Sequence, residues 1–267
     1  MLEITKLDDP RVFEYLSLKE KVHQSSDTVV IDGKRLVERA LAASAKIESL
    51  FLTHDLYVKY KPLLRENGVD EQRIFVAKRQ LMEEVVGFKL HQGIMAMVER
   101  PDTVALRELT SPIVVLNGVN SAENVGSLVR TQVGLGGKSI LCDKTTASPF
   151  LRRSARVSMG CFLESKVHVS SDLKESLRIL KNSGHVIIGA ENRIFGQSLN
   201  YFECPENAVF IIGSEASGID KDLYPYIDHF VKIPMVEGGV NSLNAAISGS
   251  ILLYKYFETY PSTIFKH

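Results

Sequence analysis

The chain has 267 residues, 45% hydrophobic and 24% charged, with 32 Lys and Arg balanced by 32 Asp and Glu. Such a composition excludes general disorder and leaves room for one large domain or two small ones, each with its own core. No apolar run nears the length of a membrane span, and Met1–Pro10 carries acids where a secretory or transit peptide needs bases, so a cytoplasmic protein with no membrane partner is expected.

In chain order, Asp9-Pro10 opens a predicted helix bearing Val12, Tyr15, Leu16 and Leu18. Thr28–Ile31 reads as a β-branched strand, and Gly33–Ala43 as a helix with Leu36, Val37, Ala40 and Leu41 on one face. Strands near Leu50–Leu52, Ile74–Ala77 and Ile94–Val98 alternate with helices at 56–66 and 79–86. Residues 1–100 are thus expected to form a small α/β domain, and the polar, proline-containing stretch 101–111 a linker. From 112 to 267 the alternation lengthens. Strands at Ile113–Leu116, Ser139–Leu141, Val186–Ile188, Val209–Ile212 and Phe230–Ile233 are interleaved with helices near 123–135, 149–160, 172–182 and 242–258. Continuous apolar strands between amphipathic helices predict a mostly parallel sheet covered on both faces.

Charge is balanced overall, but Lys144 to Leu163 holds Lys144, Arg152, Arg153 and Arg156 and no acid. This is either a solvated helix face or a phosphate-binding patch. Three loops carry unusual chemistry: Leu116–Arg130, Ile212–Gly218 and Ile233–Asn244, each at the end of a predicted strand. In a parallel sheet those strand ends share the edge where ligands bind. Each loop also has a plain structural reading: Asn120 and Glu123 as a capping box, Gly213 and Gly218 as turn residues with Glu215 in solvent, Asn241 or Ser242 as a helix cap.

Other motifs fail on spacing. Gly137-Lys138-Ser139 ends like a P-loop but has Gln132 where the leading glycine belongs, and Gly134 and Gly136 lack the third glycine of a dinucleotide fingerprint. No serine sits in a nucleophile elbow. The histidines show no metal-ligand spacing, and Cys142, Cys161 and Cys204 support neither a disulfide framework nor a zinc ribbon, so no metal is expected.

Taken together, Asn124-Val-Gly126-Ser-Leu-Val-Arg130, Ile212-Gly-Ser-Glu215-Ala-Ser-Gly218, and Ile233-Pro-Met235 with Ser242-Leu-Asn244 resemble, in order, the three signature motifs of the SpoU (TrmH) RNA ribose methyltransferases of the SPOUT superfamily. Ala147-Ser-Pro149 and Arg156-Val-Ser-Met-Gly160 resemble the segment between the first two motifs, and Ile31–Val37 with His91–Ile94 the family's substrate-binding domain.

The resemblance implies that 112–267 forms a methyltransferase domain with a deep trefoil knot, which pattern reasoning alone would not suggest. It implies S-adenosylmethionine as cofactor, held at Ala190, Gly213, Ile233, Met235 and Leu243. It further implies a homodimer through the C-terminal domain, with Leu243, Ile247, Ile251 and Tyr254 offering apolar contact. The segment 236–241 is one residue longer than the family's usual form and brings Glu237 toward the cofactor entrance.

The implied reaction methylates a ribose 2′-hydroxyl, in large-subunit ribosomal RNA by preference and in transfer RNA as the alternative. A noncatalytic RNA-binding or ribosome-assembly protein, and a base methyltransferase, are the rivals. By the resemblance, Arg130 is the central catalytic residue, with Asn124, Glu215, Ser242 and Asn244 around it. A guanidinium stays charged at ordinary pH, which favours gripping a phosphate and stabilising developing charge over acting as a base. Lys144, Arg152, Arg153 and Arg156 are the expected RNA-phosphate contacts.

Overall fold

The computed structural model describes residues 1–16, 18, 27–191, 196–236, 238–240 and 242–261. The expectations concerning Glu237, Asn241, His23 and His267 fall outside these residues. The chain divides into two units, Met1–Pro101 with Phe150–Leu163, and Asp102–Pro149 with Glu164–His267.

The first unit is built on a five-stranded mixed sheet. Its strands are β1 (Leu2–Glu3), β2 (Thr28–Asp32), β3 (Ile47–Leu52), β4 (Ile74–Val76) and β5 (Ile94–Glu99), in spatial order β1-β4-β3-β5-β2. β5 runs antiparallel to both of its neighbours, and the remaining pairs are parallel. The first five residues of β5 are all buried, as a strand covered on both faces requires. Helix α1 (Lys34–Ala42) buries Leu36, Val37, Ala40 and Leu41, the face read from its spacing. Helices α2 (His54–Glu66) and α3 (Arg79–Val86) follow, and α3 ends on Gly87 in the left-handed region at φ 77°. The predicted first helix is a 3-10 turn, Pro10–Tyr15, in which the Asp9 side chain accepts from the Arg11 N–H. Tyr15 is fully buried and shares a 2.8 Å hydrogen bond with Ser49.

The second unit carries a seven-stranded, fully parallel sheet. The strands are β6 (Ile113–Asn117), β7 (Ser139–Cys142), β8 (Lys166–Val169), β9 (Val186–Ala190), β10 (Gln197–Ser198), β11 (Ala208–Gly213) and β12 (His229–Lys232). Their order is β10-β12-β9-β11-β6-β7-β8. Alternate residues serve opposite faces. Ile113, Val115, Val209 and Ile211 pack with Leu173, Leu177 and Leu180 of helix α6 (Leu173–Asn182). On the other face, Phe210 meets Tyr256 of helix α7 (Ala245–Thr259) edge to face at 6.2 Å. Helix α4 (Ala122–Gly134) packs on α7. A Cβ on Gly249 would lie 2.3 Å from Leu128 Cδ2, so a larger residue at this crossing would displace the Leu128 side chain. Gln132, fully buried, donates to Pro112 O at 2.6 Å and Ser139 O at 3.3 Å, tying α4 to the starts of β6 and β7.

Two differences from the expected boundaries have physical causes. Residues 102–111 are no loose tether, because Leu109 is buried, Val104 and Leu106 pack on the second core, and the Val104 N–H donates to Val167 O at 2.9 Å. Residues 150–163 belong with the first unit, where helix α5 (Arg152–Val157) packs against β2 and buries Ser154 and Ala155. Phe150 and Phe162 meet edge-on at 6.2 Å, and the Arg100 guanidinium lies 5.6 Å from the Phe150 ring.

Candidate active site

Strand register puts the signature loops on one sheet edge. Ala190 pairs with both Ile212 and Val231, and Gly213 pairs with Asn117, so β6, β9, β11 and β12 release their loops side by side. The loop after β6 turns into α4 at Ser121, whose hydroxyl accepts the Asn124 N–H at 3.3 Å. Ser121, not Asn120, is therefore the cap. One turn on, Asn124 sits buried at 8% exposure.

The loop after β11 closes on itself. Ser214 and Gly218 exchange backbone hydrogen bonds of 3.1 and 2.9 Å, with Gly218 at φ 74°. A Cβ on Gly213 would come within 2.2 Å of the Gly218 carbonyl carbon, so the loop can be this tight only with glycine there. Glu215 is presented at its tip.

The third loop ends at Asn244, the cap of α7, whose side-chain oxygen accepts from the Ala246 and Ile247 N–H groups at 2.9 and 3.2 Å. Capping thus falls to Asn244 rather than Ser242. The remaining amide nitrogen donates to Asn124 Oδ1 at 2.9 Å and also to Glu215 Oε1. Asn124 Nδ2 donates to the same Glu215 oxygen at 3.0 Å. Three loops are thereby joined through one carboxylate oxygen by charge-assisted bonds.

Beside this junction lies a cleft lined by Ala190, Gly213, Ile233 and Leu243, with Glu215 and Ser242 at its wall. Met235 is half-buried and does not line it. Ile212, Val231 and Ala245 add apolar surface, and Glu191 brings a buried carboxylate, 7% exposed, that accepts the Ile219 N–H at 3.4 Å. Gly218 leaves room for that carboxylate, because a Cβ there would lie 2.3 Å from Glu191 Oε2. Apolar walls, strand-end backbone and two carboxylates suit S-adenosylmethionine, which combines a flat adenine with a sulfonium and an ammonium cation.

Arg130 lies on α4, about 9 Å further along the axis than Asn124 by helix rise, and is exposed. Among the described residues it has no ion pair or hydrogen bond with the Asn124–Glu215–Asn244 group. The four expected RNA contacts fall in different units. Lys144 is exposed in the loop after β7. Arg152 is ion-paired to Asp32 at 2.8 Å and stacked 4.5 Å from the Phe88 ring, while Arg156 stands 3.8 Å from Asp32 and Arg153 is exposed. No group of His, Cys, Asp and Glu among the described residues could hold a metal, and no helix there is long and apolar enough to cross a membrane.

A second polar cluster at the same sheet edge escaped the sequence reading. Asn117 Nδ2 donates to Asp143 at 2.9 Å and to Asp220 at 2.8 Å, and its oxygen accepts the Asp220 N–H at 2.8 Å. Asp143 also accepts the N–H groups of Gly118 at 2.8 Å, Thr145 at 3.0 Å and Thr146 at 2.8 Å. Burial pushes the Asp143 carboxyl up, but the hydrogen bonds from Asn117, Thr146, Thr145 and Gly118 outweigh it and hold the pKa below 3.8. The available signal was position, since Asn117 and Asp143 close apolar strands with a polar group.

Comparison with known proteins agrees with this fold. The SpoU rRNA methylase family model matches residues 111–254, and the model for RNA 2′-O ribose methyltransferase substrate binding matches residues 30–104. An uncharacterized tRNA/rRNA methyltransferase of Mycobacterium bovis is 28% identical over 94% of this chain and 88% of its own length. A TrmH-family tRNA/rRNA methyltransferase of Staphylococcus aureus is 24% identical over 87% of this chain and 96% of its own. The AdoMet-bound rRNA methyltransferase of Sinorhizobium meliloti superposes with a TM-score of 0.82 at 20% identity, covering 97% of this chain and 98% of that one. The AdoMet complex of the SpoU methyltransferase AviRb from Streptomyces viridochromogenes gives 0.78 at 20% identity, covering 94% and 99%. With a family model matching more than half its length at the three loops just described, the chain belongs to the SpoU rRNA methylase family.

Proposed function

We propose that this SpoU-family RNA methyltransferase methylates a ribose 2′-hydroxyl of large-subunit ribosomal RNA, acting in the cytoplasm as a homodimer. The observation that carries the reading is the Asn124–Glu215–Asn244 junction, which fixes three strand-end loops beside an apolar cleft. In this reading the cleft is the cofactor site and the loops around it form the trefoil knot. S-adenosylmethionine supplies an electrophilic methyl group when bound there. The protein's own residues hold the acceptor in line with it. Positioning of this kind lowers a barrier by roughly 7–11 kcal/mol in well-aligned systems.

Arg130 takes the phosphate next to the target ribose and stabilises negative charge developing on the hydroxyl oxygen as its proton leaves to solvent. Its exposure and lack of a protein ion pair among the described residues leave the guanidinium fork available for a bidentate phosphate contact. Ser242, on the cleft wall with Glu215, borders the acceptor.

For the homodimer, α7 supplies the surface. It packs Gly249 against Leu128 of α4 and leaves Ile247 and Tyr254 exposed, with Ile251 half-buried between them. That stripe follows helical spacing and wants an apolar partner. Three cysteines without disulfides fit a reducing compartment.

Nucleoside analysis of ribosomal and transfer RNA from a strain lacking the gene tests the reading. The expected result is loss of one 2′-O-methylnucleoside from large-subunit RNA, restored by the wild-type protein. Loss of a base methylation instead, or of nothing, overturns it.

A further inference from the structure

Asn117 ends β6 at the place where the strand order of the parallel sheet reverses. From β6 the chain fills β7 and β8 on one side, while β11, β9 and β12 lie on the other. Open α/β sheets bind their ligands beside such a reversal. Asn117 is only 3% exposed, so its amide must find its hydrogen-bond partners inside the protein.

It finds them on both legs of one loop. On the incoming leg its backbone is in register with Gly213 of β11. On the outgoing leg, Nδ2 donates to the Asp220 carboxylate at 2.8 Å, and Oδ1 accepts the Asp220 N–H at 2.8 Å. Between these legs stand Ser214, Glu215 and Gly218, which line the cleft. Glu215 is also the acceptor shared by Asn124 and Asn244. That carboxylate joins three loops at their tips, whereas Asn117 grips one of them at its root.

The grip has an anchor. Nδ2 also donates to Asp143 at 2.9 Å, and Asp143 accepts the N–H groups of Gly118, Thr145 and Thr146. The Thr146 hydroxyl donates to Leu116 O at 2.9 Å, and the Ala147 N–H donates to Val119 O at 2.9 Å. The loop after β7 is therefore laced to the chain on both sides of Asn117. A neutral amide alone can serve two carboxylates as donor and a backbone N–H as acceptor at once.

We propose that Asn117 is a positioning residue for methyl transfer: braced by Asp143, its amide fixes Asp220 and so sets the 213–218 loop against the cofactor cleft and the Asn124–Asn244 pair. This rests on the reading of the cleft as the S-adenosylmethionine site. Neither Asn117 nor Asp220 lines that cleft, so the effect is carried by the loop between the two legs.

The test is calorimetric titration of the full chain with S-adenosylmethionine, beside urea unfolding. Asn117→Asp keeps the shape and the acceptor for the Asp220 N–H, but it loses both donated bonds and brings three carboxylates together. Binding should weaken by about tenfold or more, the equivalent of one charge-assisted hydrogen bond, and the urea midpoint should fall. Asn117→Asp/Asp220→Asn returns a donor to the 117–220 pair but leaves the new carboxylate at 117 against Asp143. Affinity should then return to within about threefold of wild type while the midpoint stays low.

A double variant that leaves affinity low, or that restores affinity and midpoint in step, makes the role merely structural and overturns the proposal. Unchanged affinity in the single variant does the same. Should Asn117→Asp fail to fold by circular dichroism, Asp220→Ala, at an exposed position, should weaken binding by about threefold or more. An unchanged affinity there is again decisive against it. If wild type binds no S-adenosylmethionine, the reading of the cleft falls too; if wild type binds and the variants match it, only this inference does.

Discussion

Asn244 Nδ2 donates to Asn124 Oδ1 at 2.9 Å across 120 residues of sequence, while the oxygen of the same Asn244 amide caps α7. One side chain thus does two separable jobs. Asn244→Asp keeps an oxygen for the cap but loses both donated bonds and sets a carboxylate against Glu215. It should retain α7 yet lose at least tenfold in methyl transfer. Asn244→Ala should lose the same activity and, in addition, about 1 kcal/mol of stability from the missing cap. Urea unfolding beside a radiolabelled methyl-transfer assay separates the two, and a fully active Asp variant would show the junction to be dispensable.

Arg130→Lys preserves the charge and removes the planar fork. Because the side chain is exposed, folding should be unaffected. Turnover should drop about a hundredfold, the usual cost of one misplaced donor at a developing oxyanion, with RNA affinity held. Near-normal turnover of the Lys variant would reduce Arg130 to a simple point charge.

The Asp143 cluster predicts an acid limb. Its folded pKa lies below the ordinary value, so the carboxylate contributes stability that is fully present above the unfolded pKa and is lost as pH falls through the folded one. Asp143→Asn should therefore be less stable than wild type at neutral pH. The gap should begin to close below about pH 4, where the unfolded carboxyl starts to protonate. Denaturation midpoints measured from pH 7 to pH 3 check this, and a gap that stays constant would mean the cluster works through shape rather than charge.

Much of the architecture was readable because apolar periodicity marks both layers of an α/β unit. Ile113–Leu116 and Val209–Ile212 announced themselves as continuous runs, and α1 and α6 as one-sided helices. Edge strands lacked that signal. β8 alternates a lysine and a histidine with valines and buries only Val167, and β10 is two residues long. Likewise, nothing local in Phe150–Leu163 says which unit it joins. Its partners, Asp32, Phe88 and Arg100, lie far upstream and are fixed by tertiary contact alone. At the site, the sequence picked out Asn124, Glu215 and Asn244 by motif, but the convergence of their side chains on one oxygen depends on strand register. Asn117 and Asp143 went unnoticed because a polar residue ending a strand looks like any other loop residue.

The return of residues 150–163 to the first unit has a consequence for biosynthesis. A ribosome that has released only the first hundred residues has not yet made α5, so β2 lacks its covering helix and Asp32 its counter-ion. That unit can mature only after the initial strands of the second have also left the exit tunnel. Folding is consequently interleaved rather than domain by domain, and a fragment cut at Pro101 should be aggregation-prone despite holding every strand of its own sheet.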